Sequence, residues 1–308
     1  SVGEGYSSAA VAGGRVYTQG NNGSQDTLWC LNASTGKPVW KHSYPCTKGN
    51  DAHTGPRATP TVDGKVVYFA ARDGQVGAVN GGTGKKVWQK NVAKEVGAPE
   101  PQWGFASSPL VEGKLLILNI GSAGVALDKA TGKVVWKSKP GKAGYATPVA
   151  ATVGGKRIVA LFAGTELVGV SASNGVRLWA FPWQTQYYVN SADPIVSGSS
   201  VFISSGYNHG GALLSLASGK PVQVRQNREM RPPCNPCVLI GGHLYGNDQK
   251  TFKCVELKTG KEKWSGGSMG DSEPGVTATA DKIVGLTEGG ELFVCKASPA
   301  GYSEIARG

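Results

Sequence analysis

Cysteine is the first residue type whose spacing could support chemistry, and the chain has six, at positions 30, 46, 234, 237, 254 and 295. Cys234 and Cys237 have the CxxC spacing of redox and zinc sites. Their surroundings, CNPCV (234–238), align with segments that we interpret as strands. Residues three apart on a strand point to opposite faces, so we expect neither a shared metal nor a relaxed disulfide here. The even number of cysteines fits an oxidising compartment without requiring one, and the disulfide state of Cys46, Cys234 and Cys237 stays open.

Other catalytic patterns are weak. The four histidines, at 42, 53, 209 and 243, form no ligand pair at short spacing. The segment GGSMG (266–270) matches the nucleophile-elbow pattern GxSxG, but that turn needs a strand before it and a helix after it, and here another repeat follows. There is no phosphate-binding GxxxxGK[ST] loop. The sequence therefore identifies no catalytic group and no metal site, and whether the protein is an enzyme stays open.

A repeated turn shows which elements must position any site. It occurs as TGKPVW (35–40), TGKKVW (83–88), TGKVVW (131–136) and TGKEKW (259–264), with degenerate copies SNGVRLW (173–179), SGKPVQ (218–223) and SPAGYSEI (298–305). In the copy at 218–223, Gln223 takes the tryptophan place. Small-residue strand starts precede these turns: SSAAV (7–11), RATPTV (57–62), SSPLV (107–111), YATPVA (145–150), ADPIV (192–196) and CNPCV (234–238).

Each repeat reads as four short strands, and such a sheet cannot bury both faces alone. Radial stacking of the sheets predicts an all-β propeller with seven blades, in which the tryptophans pack between blades. The alternative is an eight-bladed propeller whose split closing blade lies outside this chain. We expect one domain over 1–308, with blades at about 6–44, 57–92, 104–139, 145–183, 191–227, 233–267 and 273–307.

The alternation of small-residue strand, valine-rich strand and TGK-x-x-W turn resembles the PQQ-like (pyrroloquinoline-quinone) repeat family over essentially the whole chain. That family includes quinoprotein alcohol dehydrogenases, the propeller lipoprotein of outer-membrane β-barrel assembly, and exported proteins of unassigned activity. The segments GEGYSS, GPRATPTVDG, QWGFASSPLV, GSAGVALDKATGKVVWK, NSADPIVSG and SSGYNHG are most similar to the last group. The resemblance implies a periplasmic or extracellular location.

A quinone cofactor is the chemistry that the resemblance raises. Quinone dehydrogenases of the family hold PQQ with a stacking tryptophan, a disulfide between adjacent cysteines, and Ca²⁺. This sequence has no adjacent cysteines and, at 308 residues, is much shorter than those enzymes. We therefore expect no cofactor, with PQQ and calcium as a weakly supported alternative.

Loops that enter the first strands and loops between second and third strands lie on one face of a propeller. Aromatic, basic and amide side chains there suit a glycan, a quinone or a peptide carboxylate. The candidate ligand-binding residues are Arg57, Arg72, Trp103, Tyr145, Tyr187, Tyr188, Asn190, Asp193, Tyr207, His209 and Arg231. Tyr6, His53, Asn208, Met230, Asn247, Asp248, Asp271 and Glu273 belong to the same loops.

The net charge of +11 bears on partners. Because most lysines lie in turns spread along the chain, we interpret them as a solvated rim, with a polyanion site as the alternative, and expect no nucleic acid. No stretch is apolar enough to span a membrane. We predict a monomeric, exported binding module for a glycan or protein partner. Two enzyme alternatives remain: a quinoprotein-like oxidoreductase of alcohols or sugars, and a polysaccharide lyase that uses Tyr, His and Arg on acidic glycans.

Overall fold

The computed structural model describes residues 1–49, 53–268, 275–287 and 289–308. Strands in these ranges form seven four-stranded sheets, each with its strands hydrogen-bonded in sequence order. The sheets are the blades of an all-β propeller with seven blades, the fold class that the repeats predicted. By compactness the chain divides into unit 1, Ser1–Ala150 with Val170–Arg177, and unit 2, Ala151–Gly169 with Leu178–Gly308.

Three sheets belong to unit 1. The first contains β1 (Ala10–Ala12), β2 (Arg15–Asn21), β3 (Gln25–Asn32) and β4 (Pro38–Pro45). The second contains β5 (Thr61–Asp63), β6 (Val66–Ala70), β7 (Gln75–Asn80) and β8 (Lys86–Asn91), and the third contains β9 (Leu110–Glu112), β10 (Leu115–Leu118), β11 (Val125–Asp128) and β12 (Val134–Lys137). A helix that the repeat did not predict, α1 (Val92–Val96), follows β8, and the Asn91 side chain caps it by accepting a hydrogen bond from the Lys94 amide.

The remaining four sheets continue the pattern. The fourth contains β13 (Val149–Val153), β14 (Lys156–Phe162), β15 (Glu166–Ser171) and β16 (Arg177–Pro182). The fifth and sixth contain β17 (Ile195–Ser197), β18 (Ser200–Ser205), β19 (Gly210–Ser215) and β20 (Val222–Asn227), then β21 (Val238–Ile240), β22 (His243–Asp248), β23 (Thr251–Glu256) and β24 (Glu262–Ser268). The seventh contains β25 (Gly275–Ala278), β26 (Lys282–Leu286), β27 (Leu292–Lys296) and β28 (Glu304–Arg307). No helix in the described ranges is long and apolar enough to span a membrane.

The repeated turn is stabilised locally. Asn32 Oδ1 accepts hydrogen bonds from the amides of Ser34 (3.0 Å) and Thr35 (2.9 Å). Asp128 does the same for the Thr131 amide, at 2.9 Å. The glycine that follows, such as Gly36 with φ of 67°, adopts the left-handed conformation that favours glycine. These contacts lie within a few residues of one another, which is why the turn is readable in the sequence.

Tryptophans of the turn pack between neighbouring blades, as predicted. In unit 1, the indole nitrogens of Trp40 and Trp136 donate to the carbonyl oxygens of Gly81 (3.0 Å) and Ala172 (3.2 Å) in the next blade. In unit 2, Trp264 donates to the Ser298 carbonyl oxygen at 2.7 Å. Each indole therefore joins two sheets by one hydrogen bond and by burial of its ring.

The fifth repeat corrects the sequence alignment. Gln223 is exposed, and Arg225 occupies the tryptophan register instead, opposite Leu213 and next to the bulge of the β19–β20 pair. Trp136 has the equivalent place opposite Ala126, next to the bulge of β11 and β12. The assignment of Gln223 was wrong because it placed the tryptophan position four residues after the turn glycine, as in the other copies. In the fifth repeat the bulge of the strand comes two residues later, so Arg225 takes that position.

The small-residue segments also differ from the prediction, because most of each segment precedes its strand. Within 57–62, the strand β5 begins only at Thr61. Carbonyl groups ahead of the strands accept side-chain hydrogen bonds from the neighbouring blade: Gln19 Nε2 donates to the Ala58 carbonyl oxygen at 2.9 Å, and the Thr61 hydroxyl donates to the Pro109 carbonyl oxygen at 2.6 Å. Side chains of one blade thus bind the backbone that precedes the first strand of the next blade.

The structure confirms the expected place of three cysteines and corrects that of two others. Cys30, Cys254 and Cys295 are fully buried and act as small apolar residues, as expected from their shared place in the repeats. Cys234 and Cys237 lie ahead of β21 rather than on a strand, which corrects the basis of the sequence argument. Cys234 is exposed and Cys237 is buried, and burial raises the pKa of the Cys237 thiol to about 12. The Cys237 thiol is therefore poorly suited to act as a nucleophile.

Candidate functional site

Two loops of unit 2 carry residues in an unusual backbone conformation. Tyr187 (φ 59°) and Tyr188 (φ 61°) lie between β16 and β17, and Tyr207 (φ 53°) and Asn208 (φ 59°) form the turn between β18 and β19. In the described ranges only one other residue besides glycine, Gln249, has positive φ. Left-handed backbone at a bulky residue costs about 1–2 kcal/mol, and such residues concentrate at functional sites.

The two loops bring their aromatic side chains together. The rings of Tyr187 and Tyr207 meet edge to face, with centroids 5.9 Å apart and planes at 71°. Both remain open to solvent, at 51% and 44% exposure. We call these two residues the tyrosine pair. Two exposed phenol rings held against each other form an amphipathic surface of the kind that protein interfaces favour.

Asn190 anchors the first loop and is fully buried. Its Nδ2 donates to the carbonyl oxygens of Ala163 (2.7 Å) and Trp183 (3.2 Å). Its Oδ1 accepts from the Ser205 hydroxyl at 3.1 Å, which ties the loop to the end of β18. Asn190 was predicted to contact ligand, but the structure places it beneath the tyrosine pair as a support. Asp193 is half-buried ahead of β17.

His209 packs under the same turn. Its ring meets that of Trp183 at 4.3 Å with planes at 66°, and the Trp183 indole donates to the Ser205 hydroxyl at 3.0 Å. Burial lowers the pKa of His209, and the positive charge of Arg228 lowers it further. Both effects favour the neutral form of the His209 imidazole. Trp183 and Ser205 were not predicted, because neither belongs to a repeated motif.

Arg231 belongs to a salt-bridge network and contacts Asn208, the neighbour of Tyr207 in the turn. Its Nε donates to Asp248 Oδ1 at 2.6 Å and its Nη2 to Asp248 Oδ2 at 2.8 Å, while Nη1 donates to Asn208 Oδ1 at 3.2 Å. Lys253 adds a second cation at 2.9 Å from Asp248. Burial opposes ionisation of Asp248, but the hydrogen bonds from both cations hold its pKa below the usual value. Arg231 therefore orients the 207–208 turn.

The candidate residues of unit 1 bond to loop backbone or pack in two separate pairs of rings. Arg72 is buried and its guanidinium donates to the Lys48 carbonyl oxygen, while its own carbonyl accepts from the Phe105 amide at 2.7 Å. Arg57 donates to the carbonyl oxygen of His53. Both arginines thus bond to loop backbone. The rings of Trp103 and Tyr145 lie 6.1 Å apart, and those of Tyr6 and His53 lie 5.6 Å apart. Asp271 and Glu273, two further loop candidates, lie outside the described residues.

A quinone cofactor with calcium requires a cluster of oxygen ligands and, in this family, a disulfide between adjacent cysteines. Within the described ranges no three His, Cys, Asp or Glu side chains lie close enough together to hold a metal ion. The sequence has no adjacent cysteines for the disulfide that such sites contain. Neither of these two features of a PQQ–calcium site is therefore found among the described residues.

Comparison with known sequences places the chain in a family. The family of PQQ-type repeats described as "Outer membrane protein assembly factor BamB" matches residues 1–102 and 58–266. The chain belongs to this PQQ-like, BamB-like family, which confirms the resemblance drawn from the TGK-x-x-W turns. Membership also confirms the periplasmic or extracellular location predicted from that resemblance.

Individual relatives fall into two groups. The outer membrane protein assembly factor BamB of Burkholderia pseudomallei is 26% identical over 300 residues, which is 93% of this chain and 72% of that protein. The quinoprotein alcohol dehydrogenase PedH of Pseudomonas putida is 31% identical over 167 residues, and the match spans 51% of this chain but only 27% of the dehydrogenase. The crystal structure of BamB from Moraxella catarrhalis shares the fold, with a TM-score of 0.71 at 15% identity over 94% of this chain and 82% of that one.

Proposed function

We propose that this protein is an interaction module of the bacterial cell envelope, formed by a single propeller domain over 1–308, that binds a protein partner through the tyrosine pair. The observation that carries the proposal is the positive φ of the residues that present the pair, Tyr187 and Tyr207. Strained backbone persists where the surrounding structure holds it in place, and it concentrates at functional sites.

The surroundings support a rigid binding surface. Asn190 fixes the first loop from below by hydrogen bonds to three backbone or side-chain partners, and Arg231 fixes Asn208 from the side. Preorganised aromatic side chains lose little conformational entropy on binding, so they contribute strongly to affinity. Similarity to the Burkholderia assembly factor suggests that the partner is a protein of outer-membrane assembly.

Site-specific photo-cross-linking in the native cell tests the proposal. A benzoylphenylalanine replaces Tyr187 or Tyr207, and a control variant carries it at Ile305, which has a similar exposure of 48% in the same unit. We expect an adduct with one envelope protein from both tyrosine positions and none from the control. Equal adducts at all three positions, or none, would remove the tyrosine pair as the binding surface. An adduct without peptide would indicate a glycan instead.

The oxidoreductase alternative makes a different prediction. Titration of the full chain with PQQ, with and without Ca²⁺, would quench tryptophan fluorescence saturably if the protein bound the quinone. The donor set of the described residues leads us to expect no saturable quenching. Micromolar quenching would require assays of alcohol and sugar oxidation and would count against a purely interacting role.

A further inference from the structure

The outer strands of unit 1 share a pattern of lysine and exposed valine. Segments 35–45, 83–91 and 131–142, which contain β4, β8 and β12, hold nine lysines and no aspartate or glutamate. Each strand also exposes one valine about half: Val39 (46%), Val87 (52%) and Val135 (49%). These three outer edges therefore present cations and apolar side chains together. One of the nine lysines, Lys90, pairs with Glu95 of α1 at 2.7 Å.

The corresponding strands of unit 2 differ. Segments 218–227, 259–268 and 298–307 contain five cations and two acidic residues. Two of the five are engaged within the protein, since Arg225 donates to the Leu257 carbonyl oxygen and Arg307 pairs with Glu291 and Glu304. The lysine excess is thus a property of unit 1 and does not follow from the repeat alone.

We infer that these outer edges of unit 1 dock on an anionic lipid surface. The exposed lysines Lys37, Lys86, Lys133 and Lys137, which we call the lysine rim, match the negative headgroups by charge. The adjacent valines match the acyl boundary of a bilayer, which a soluble polyanion does not offer. The inference is independent of the tyrosine pair, which lies in unit 2.

Lysines near an anionic bilayer each strengthen binding about fivefold, and salt screens the attraction. We therefore expect the full chain to co-sediment with equimolar phosphatidylcholine–phosphatidylglycerol vesicles at low salt and to be released as salt is raised. It should not bind pure phosphatidylcholine vesicles.

Matched charge variants locate the surface. One protein carries Lys37→Gln, Lys86→Gln, Lys133→Gln and Lys137→Gln; the control carries Lys220→Gln, Lys258→Gln, Lys261→Gln and Lys296→Gln, which removes the same charge from exposed positions of unit 2. The first should bind anionic vesicles about 600-fold more weakly, and the control should change by less than about threefold. Equal losses in the two proteins would show a response to net charge and overturn the inference.

A second pair of variants separates a bilayer from a soluble polyanion. Val87→Ser with Val135→Ser should weaken vesicle binding about tenfold with the lysines intact, because the valines lose apolar contact with the lipid. Unchanged vesicle binding, together with displacement by polygalacturonate, would assign the lysine rim to an acidic polysaccharide and contradict the inference. Tyr187→Ala with Tyr207→Ala should leave vesicle binding unchanged, so failure of the partner proposal is distinguishable from failure of this one.

Discussion

Arg225 donates two hydrogen bonds to the carbonyl oxygen of Leu257, from Nε at 2.9 Å and from Nη2 at 2.7 Å. The corresponding link in other repeats is a single hydrogen bond from an indole, such as that from Trp40 to the Gly81 carbonyl oxygen. The Arg225 guanidinium also lies 5.6 Å from the centre of the Phe202 ring, where the indole of a regular repeat would pack. Arginine thus replaces tryptophan as the connection between the fifth and sixth blades.

Arg225→Ala should lower the free energy of unfolding by about 2–3 kcal/mol, because hydrogen bonds from a charged group and a buried packing contact are lost. Gln223→Ala serves as the control, and should change it by less than about 0.5 kcal/mol since Gln223 is exposed. Urea denaturation of both variants provides the measurement. A larger effect at Gln223 than at Arg225 would contradict the register assigned to this strand.

Trp136→Ala should cost about 3–5 kcal/mol, because a buried indole leaves a cavity between the third and fourth repeats. Trp136 is 8% exposed and packs over Gly175. Trp136→Phe retains most of the ring but loses the 3.2 Å hydrogen bond to Ala172, and should cost about 1 kcal/mol from that bond. Thermal unfolding of the parent protein, Trp136→Phe and Trp136→Ala should give melting temperatures that fall in this order. An unchanged melting curve for the alanine variant would rule out the packing role.

Asp26 should make stability depend on pH. Its Oδ1 accepts from Asn21 Nδ2 at 2.6 Å, while its Oδ2 has no hydrogen-bond partner among the described residues. Burial raises its pKa from 3.8 to about 6, so between these values the folded protein binds more protons than the unfolded chain. Stability therefore falls as pH rises through this window, by roughly 3 kcal/mol in all.

Asp26→Asn tests this sign, because an amide keeps the oxygen that Asn21 contacts and carries no charge. The variant should be more stable than the parent protein above about pH 6, and the gain should shrink to near zero by about pH 4. The melting temperatures of the parent protein and of Asp26→Asn, measured between about pH 4 and pH 6, provide the test. A constant difference between the two proteins at all pH values would show that Asp26 does not titrate in this window.

Tyr207→Gly should separate stability from function. Glycine adopts positive φ without the strain imposed on Tyr207, so we expect stability to stay equal or to rise by up to about 1 kcal/mol. Tyr207→Val should instead destabilise by more than about 1 kcal/mol, since a β-branched residue tolerates this conformation poorly. Both should lose the cross-link expected at Tyr187. If the glycine variant were strongly destabilised, the tyrosine would be retained for packing rather than for binding.

The candidate site was only partly readable from sequence. Its aromatic and basic residues were found because they precede recognisable strands, but their roles were not. Asn190 and Arg231 looked like ligand contacts, and the structure places the first beneath the tyrosine pair and the second in a salt bridge with Asp248. The contact of Tyr187 with Tyr207, twenty residues apart, joins the loop that leads from the fourth blade to the fifth with a turn inside the fifth blade, and no local pattern in the sequence indicates it.

The sequence by itself determined the repeat, the four-stranded blade and the packing of the tryptophans, because local hydrogen bonds such as those of Asn32, Asn80 and Asp128 and the alternation of apolar residues recur in several copies. Only the tertiary structure decided that Arg225 rather than Gln223 joins two blades, and that carbonyl groups ahead of the strands accept hydrogen bonds from side chains of the neighbouring blade. Those outcomes depend on bulges and on contacts between distant parts of the chain, where spacing along the sequence no longer measures spacing in three dimensions.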